Sequence, residues 1–332
     1  MRPVIASRAS PAARPADTTA AAAGRLPAQR WFVVCAWITL GYTLLVILWG
    51  AYVRAAGAGN GCGASWPLCD GQFLPAHPQL KMLIEFLHRA SSGVDGVLIG
   101  GLALGAWWRF PRQHAVRRAA AAAAVFLVLE ALLGAALVLF GWVGQNGSAA
   151  RVAADGLHLA NTLLLLACVA LTAGLASGLP APIGGAQRTR RLLGAGLLGV
   201  LATGVCGVMA ALADTLHPVH DLAAGLRADV AASGTMLERL RLIHPAIAVA
   251  VGLYLLYLVH DGLPRPSTVL ARRLGWGLAG AVLLQWSSGL LDVSLLAPVW
   301  LQLVHLFTAD LLWLTLVFFA AASCGSVAAC PD

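Results

Sequence analysis

The stretch LIEFLHRASSGVDGVLIGGLALGAWW, residues 83–108, is long and apolar enough to cross a bilayer, yet it opens with Glu85, His88 and Arg89. A helix rises about 1.5 Å per residue, so roughly 20 apolar residues span the hydrocarbon core. Ligand-type or ionisable side chains inside such a segment are costly to bury and mark a functional site. Seven further runs of the same kind lie near 31–53, 118–141, 154–178, 191–213, 237–260, 272–293 and 298–321. The 332-residue chain is 59% hydrophobic and 11% charged, with mean hydropathy +0.80, which excludes a water-soluble protein. The expected fold is an all-α integral membrane protein with eight transmembrane helices.

Basic residues set the expected orientation, because Lys and Arg stay in short cytoplasmic loops. Arg2, Arg8, Arg14, Arg25 and Arg30 precede the first helix, and Arg109, Arg112, Arg117 and Arg118 separate the second from the third. Arg188, Arg190 and Arg191 follow the fourth, and Arg265, Arg272 and Arg273 follow the sixth. The opposite loops hold only Arg54, Lys81, Arg151 and Arg227. Both termini are therefore expected in the cytoplasm, and the net charge of +8 reflects this bias and calls for no nucleic-acid partner. Residues 1–30, rich in Ala, Pro and Arg, read as a disordered cytoplasmic tail in preference to a transit segment.

Aligning the second to fourth helices with the sixth to eighth superposes His88 on His244 and His158 on His305. Glu130 with Gly134 falls on Gln285 with Gly289 at nearly the same offset. Such internal similarity marks a duplicated membrane unit. The expected architecture is two pseudo-symmetric four-helix bundles, 31–178 and 191–321, with a cytoplasmic linker at 179–190 and a cytoplasmic tail at 322–332. Small-residue runs such as GGLALGA at 100–106 and GVCGVMAA at 204–211 suit close helix packing.

His88, His158, His244 and His305 each fall one to two turns inside the outer end of a helix, about 6 to 12 Å deep. One such histidine is more often a packing residue. Four in a repeated pattern can supply two pairs of axial nitrogens for heme iron, one pair in each bundle. Zinc or copper wants three or four converging ligands, and neither half offers a Cys or third deep His beside its pair. His77, His114, His217, His220 and His260 read as solvated, although HPVH at 217–220 has a metal-like spacing.

The residue three before each histidine shares its helix face. Glu85 and Asp155 precede His88 and His158, whereas Arg241 and Gln302 precede His244 and His305. A carboxylate beside a heme edge can position water or accept a proton. A guanidinium suits a propionate, for which Arg89, Arg151, Arg239 and Arg241 are candidates. The first half thus reads as reactive and the second as holding a fixed heme. For Asp155 the competing reading is an N-cap of the fourth helix. In the first outer loop, Cys62 and Cys69 can close a disulfide, either as a structural staple or as a redox-active pair. Cys35, Cys168, Cys206, Cys324 and Cys330 read as inert.

The loop GNGCGASWPLCDGQFLP at 59–75, the run IEFLHR at 84–89 and the single histidines opening the fourth, sixth and eighth helices resemble the heme A synthases over about residues 31–321. That resemblance implies two hemes in two four-helix halves and oxidation of a ring methyl of heme O to the formyl of heme A by successive hydroxylations with water-derived oxygen. It implies His88 and His158 as ligands of the substrate heme, Glu85 as the catalytic carboxylate, and His244 and His305 as ligands of a resident heme b. Cys62 and Cys69 correspond to the family's outer-loop pair. Also implied are a bacterial inner-membrane location with the hemes toward the outer face, a heme O synthase and cytochrome oxidase assembly factors as partners, and an electron acceptor that the residues do not name. A second pair of outer cysteines carried by some members is missing from residues 214–236. Two rivals remain: a diheme cytochrome linking quinol to a periplasmic acceptor, and a repeat-built transporter.

Overall fold

The computed structural model describes residues 27–182, 184–230, 236–263 and 268–325. Among these the chain forms α1 (Pro27–Ala55), α2 (Leu80–Arg109), α3 (Ala115–Leu139), α4 (Ala149–Ala176), α5 (Gln187–Leu216) and α6 (Leu222–Val230). There follow α7 (Met236–Tyr257), extended by a π-helical turn at Leu258–Gly262, α8 (Val269–Ser294) and α9 (Val299–Cys324). Eight of these helices are long and apolar enough to cross a membrane. Extended pairing among the described residues is confined to one bridge, Cys69 with Gln72. The protein is an all-α integral membrane protein with eight transmembrane helices.

Most of the expected tails, 1–26 and 326–332, lies outside the described residues, as do Arg2, Arg8, Arg14, Arg25, Arg265 and Cys330. At their inner ends helix replaces tail, because α1 starts at Pro27 and α9 continues through Cys324. A larger difference concerns α4, which begins at Ala149, five residues before the expected start at 154. Its N-cap is Ser148, whose hydroxyl accepts from the Arg151 N–H at 3.3 Å. Asp155 therefore lies inside the helix, and the capping role considered for it falls to a serine that better fits the turn.

Helix neighbours fall into two sets. In the first, α1 touches α2 and α4, and α3 touches the same two. In the second, α5 touches α7 and α9, and α8 touches the same two. The sets join along α4 with α5, α4 with α9 and α1 with α9. Leu163, Leu166, Val169 and Ala170 of α4 pack there with Trp313, Leu314 and Val317 of α9 and Leu40 of α1. Trp313 also donates its indole N–H to the Leu163 carbonyl at 2.7 Å, satisfying its one polar group inside the seam.

With lipid as solvent, close packing replaces the hydrophobic drive between helices. At Gly156 a Cβ would stand 2.9 Å from Met209 Cε, and at Gly204 3.2 Å from Leu163 Cδ1, so small residues bring α4 and α5 together. The GGLALGA run behaves otherwise than expected. A Cβ at Gly100 or Gly101 would meet nothing within 4 Å, and only Gly105 sits against a neighbour, Phe32. Those two glycines face away from the helix contacts, so their small size does not serve packing within this chain.

Candidate functional site

His88, His158, His244 and His305 lie near the N-terminal ends of α2, α4, α7 and α9, all on the face of the protein that carries the Cys62–Cys69 loop. Each ring lies against a glycine of a neighbouring helix. A Cβ at Gly50 of α1 would be 2.8 Å from His88 Cε1, and one at Gly207 of α5 2.9 Å from His244 Cε1. Gly289 of α8 has the same relation to His305 at 2.9 Å, and Gly134 of α3 faces His158 Cε1 at 3.8 Å. The internal repeat pairs Gly134 with Gly289. It gives no sign of Gly50 and Gly207, which lie in helices that carry no histidine of the set.

In the second set the rings of His244 and His305 are perpendicular, with centroids 6.5 Å apart. Two imidazoles sharing one metal ion, each with a metal–nitrogen bond of about 2 Å, have centroids separated by about 6 Å. The two rings are therefore spaced so that both could reach one metal ion. No group of three or more His, Cys, Asp or Glu side chains that could hold a metal converges among the described residues. Paired histidines of this kind could hold a heme iron.

Glu85 is 3% exposed and engaged at both carboxylate oxygens. The Cys62 backbone N–H donates to its Oε2 at 2.8 Å, while Arg89 donates to Oε1 through Nε at 3.2 Å and Nη2 at 2.5 Å. The other end of the guanidinium, Nη1, donates to the Ser65 and Leu68 carbonyls at 2.7 and 2.6 Å. Arg89 thereby ties the carboxylate to the loop and has its hydrogen-bonding fork occupied by protein. The Cys62–Cys69 disulfide forms, with its cysteines 0% and 2% exposed. Such burial suits a staple, since exchange needs an approaching thiolate.

Loop geometry around the disulfide follows from composition. Cys69 and Gln72 exchange backbone hydrogen bonds at 3.0 and 2.9 Å, and the Asp70 N–H reaches the Cys62 carbonyl at 2.9 Å. Gly71, at φ 75°, takes a left-handed conformation that a side chain would disfavour.

Glu130 is legible in sequence only as a repeat marker. In the fold its Oε1 stands 3.3 Å from His158 Nδ1, and Asn161 Nδ2 donates to its Oε2 at 2.6 Å. Thr162 donates to the same carboxylate. Gln285 takes the matching position in the second set, with its amide nitrogen 3.3 and 3.1 Å from His305 Nδ1 and Nε2. Its oxygen accepts from Thr308 at 2.6 Å, and the Ser288 hydroxyl lies 3.0 Å from His305 Nδ1.

The remaining candidate arginines separate by partner. Arg151 donates to the Gly144 and Asn146 carbonyls at 2.6 and 2.8 Å and pairs with Asp155 at 3.4 Å. Arg241 pairs with Asp214 at 3.0 Å and Asp229 at 3.5 Å and donates to the Ala213 and His217 carbonyls. Arg239 is exposed. Arg54, read in sequence only as a loop charge, reaches across the seam. It donates to the Ala211 carbonyl at 2.8 Å, Thr215 at 3.0 Å and Gln302 Oε1 at 3.2 Å. His217 caps the end of α5, His114 caps α3, and His260 contacts Asp261 at 2.9 Å.

Comparison with known proteins yields a family model, COX15-CtaA, described as cytochrome oxidase assembly protein, that matches residues 33–317. A protein of Thermus thermophilus named protoheme IX farnesyltransferase is 44% identical over 303 residues, covering 90% of this chain and 49% of that protein. Its counterpart in a second strain of the same organism matches equally. The chain spans about half the length of these curated relatives. A heme A synthase of Bacillus cereus is 41% identical over 113 residues, 34% of this chain and 36% of that protein.

Proposed function

Because the chain belongs to the COX15-CtaA family of cytochrome oxidase assembly proteins, we propose that it is a heme A synthase, an oxidoreductase that converts the ring methyl of heme O to the formyl of heme A. The observation that carries this reading is Glu85, three residues before His88 and held at the Cys62 amide, which gives the first set a carboxylate where the second has Arg241. Partial identity with heme A synthases of Bacillus supports it.

In this reading the two helix sets are related halves. His88 and His158 hold the substrate heme in the first, and His244 and His305 hold a resident heme b in the second. Heme b, when bound, supplies one-electron redox capacity. The net change turns the methyl and one water into an aldehyde, four protons and four electrons, through two hydroxylations and loss of water from the geminal diol. An external oxidant takes the electrons. Glu85 positions the attacking water and accepts its proton, and Arg89 keeps the carboxylate oriented while the disulfide loop limits bulk water. Asp155, paired with Arg151, is a second carboxylate on the substrate side. Arg241 steadies the outer end of the second half through its acidic partners.

The chain resides in a bacterial inner membrane with both termini cytoplasmic, and the four histidines lie toward the outer face. A membrane protoheme farnesyltransferase is the natural partner, since it makes the substrate; half of the Thermus protein bearing that name matches this chain. Expression in cells that make heme O, followed by solvent extraction and identification of the hemes by chromatography and mass, tests the activity. Heme A must appear. Bound protoheme with no heme A would instead indicate a diheme electron carrier, although four histidines at one end of the bundle suit transfer across the membrane poorly.

A further inference from the structure

The residue behind each α4 and α9 histidine differs in charge between two otherwise matched positions. In the first half Glu130 faces His158 Nδ1 at 3.3 Å. Its oxygens accept from Asn161 and Thr162, which fixes the carboxylate and leaves it only an acceptor. In the second half Gln285 sets its amide nitrogen 3.3 Å from His305 Nδ1 and 3.1 Å from Nε2, its oxygen being taken by Thr308 at 2.6 Å. The remaining neighbour of His305 Nδ1 is the neutral Ser288 hydroxyl at 3.0 Å. Thr162 and Thr308 play equivalent parts, each hydroxyl sharing its one proton between its own histidine carbonyl and residue 130 or 285.

A metal-bound imidazole keeps one N–H, and the group that accepts it tunes the ligand. An anionic acceptor pulls the proton outward and gives the ring imidazolate character, which makes it a stronger donor and favours the more oxidised iron. A hydroxyl acceptor does this far less, and an amide NH2, which only donates, does not do it. Axial-ligand basicity and hydrogen bonding are established levers on heme potential.

We propose that Glu130 and Gln285 are positioning residues that set the two irons at different potentials, with the His88/His158 site lower than the His244/His305 site. Electrons at equilibrium then collect on the second-half heme, away from the methyl to be oxidised. The proposal rests on the two-heme reading above but not on the hydroxylation chemistry.

The test is spectroelectrochemical titration of the full-length protein carrying protoheme, with the sites isolated by His88→Ala/His158→Ala in one sample and His244→Ala/His305→Ala in another. The first-half site should titrate at the lower potential. Glu130→Gln should shift that site upward and leave the other unchanged, while Gln285→Glu should shift the second-half site downward. Reversed order in the isolated sites, or unmoved midpoints in both variants with heme retained, overturns the proposal. Should Glu130→Gln shed its heme, the Gln285→Glu shift still decides, because that site keeps both ligands. Failure of heme A formation with these shifts intact would count against the synthase reading alone.

Discussion

The backbone N–H of Cys62 and the carboxylate of Glu85 are joined by a 2.8 Å hydrogen bond, so the disulfide loop and the acid three residues from His88 form one structural unit. A loop closed by a disulfide has fewer unfolded conformations, and such a bond stabilises by about 2 to 4 kcal/mol. Here that constraint bears on where one carboxylate sits.

Cys62→Ser with Cys69→Ser is expected to reduce heme A formation strongly while heme content of the second half holds. Glu85→Gln, which keeps the shape but loses the proton acceptor, should abolish heme A yet retain both hemes. Extracted-heme chromatography beside the hemochrome spectrum of the intact protein measures each. Full heme A formation by Glu85→Gln would remove that residue from the chemistry.

Gly50 and Gly207 are the glycines on which His88 and His244 rest, with a Cβ placed 2.8 and 2.9 Å from a ring carbon. Gly50→Ala should displace His88 and lower heme occupancy in the first half only. Gly207→Ala should do the same in the second. Overpacking of this kind costs about 1 to 3 kcal/mol. Heme-to-protein stoichiometry in single-site variants reads the selectivity; equal loss from both halves would contradict it.

Arg54 holds three acceptors on α5 and α9 from the end of α1. Arg54→Met keeps much of the stem but leaves these acceptors without their charged donor, a loss of about 3 kcal/mol. The expected result is a lower melting temperature in detergent with reduced heme retention, measured by following the Soret band on heating. A melting curve superimposable on wild type would mean that the seam relies on α4–α9 packing alone.

Asp310 of α9 is 0% exposed, and neither carboxylate oxygen has a hydrogen-bond partner. A buried polar group without partners costs about 1 to 3 kcal/mol. Asp310→Leu should therefore raise the melting temperature. A stabilised variant that also loses heme A formation would assign the residue a role in function.

All eight spans were readable from hydropathy because a bilayer admits few alternatives to a long apolar helix. The four histidines were readable because each interrupts such a run. The start of α4 was not, since its first two turns, AARVAAD, mix small and charged residues and only Ser148 marks the cap. Helix α6 was missed for a related reason. Leu222, Leu226 and Val230 are exposed on one face while Gly225 and Asp229 turn inward. That inside-out pattern suits a helix at a membrane surface and is too short to register as a span. Glu130 and Arg54 were recognisable as charges but not as partners of His158 and Gln302. Contacts between helices distant in sequence follow from how the faces meet, which spacing along one helix does not encode.

The seam described between α4 and α9 has a bearing on traffic. Trp313 is bonded to the Leu163 carbonyl at one depth, and Arg54 grips α5 and Gln302 near the disulfide face. Contacts at two levels oppose the rocking by which the bundles of an alternating-access carrier move past each other. On the two-heme reading proposed above, a bulky planar guest is expected to come and go by the parting of helices within one half, with the midline standing as a keel.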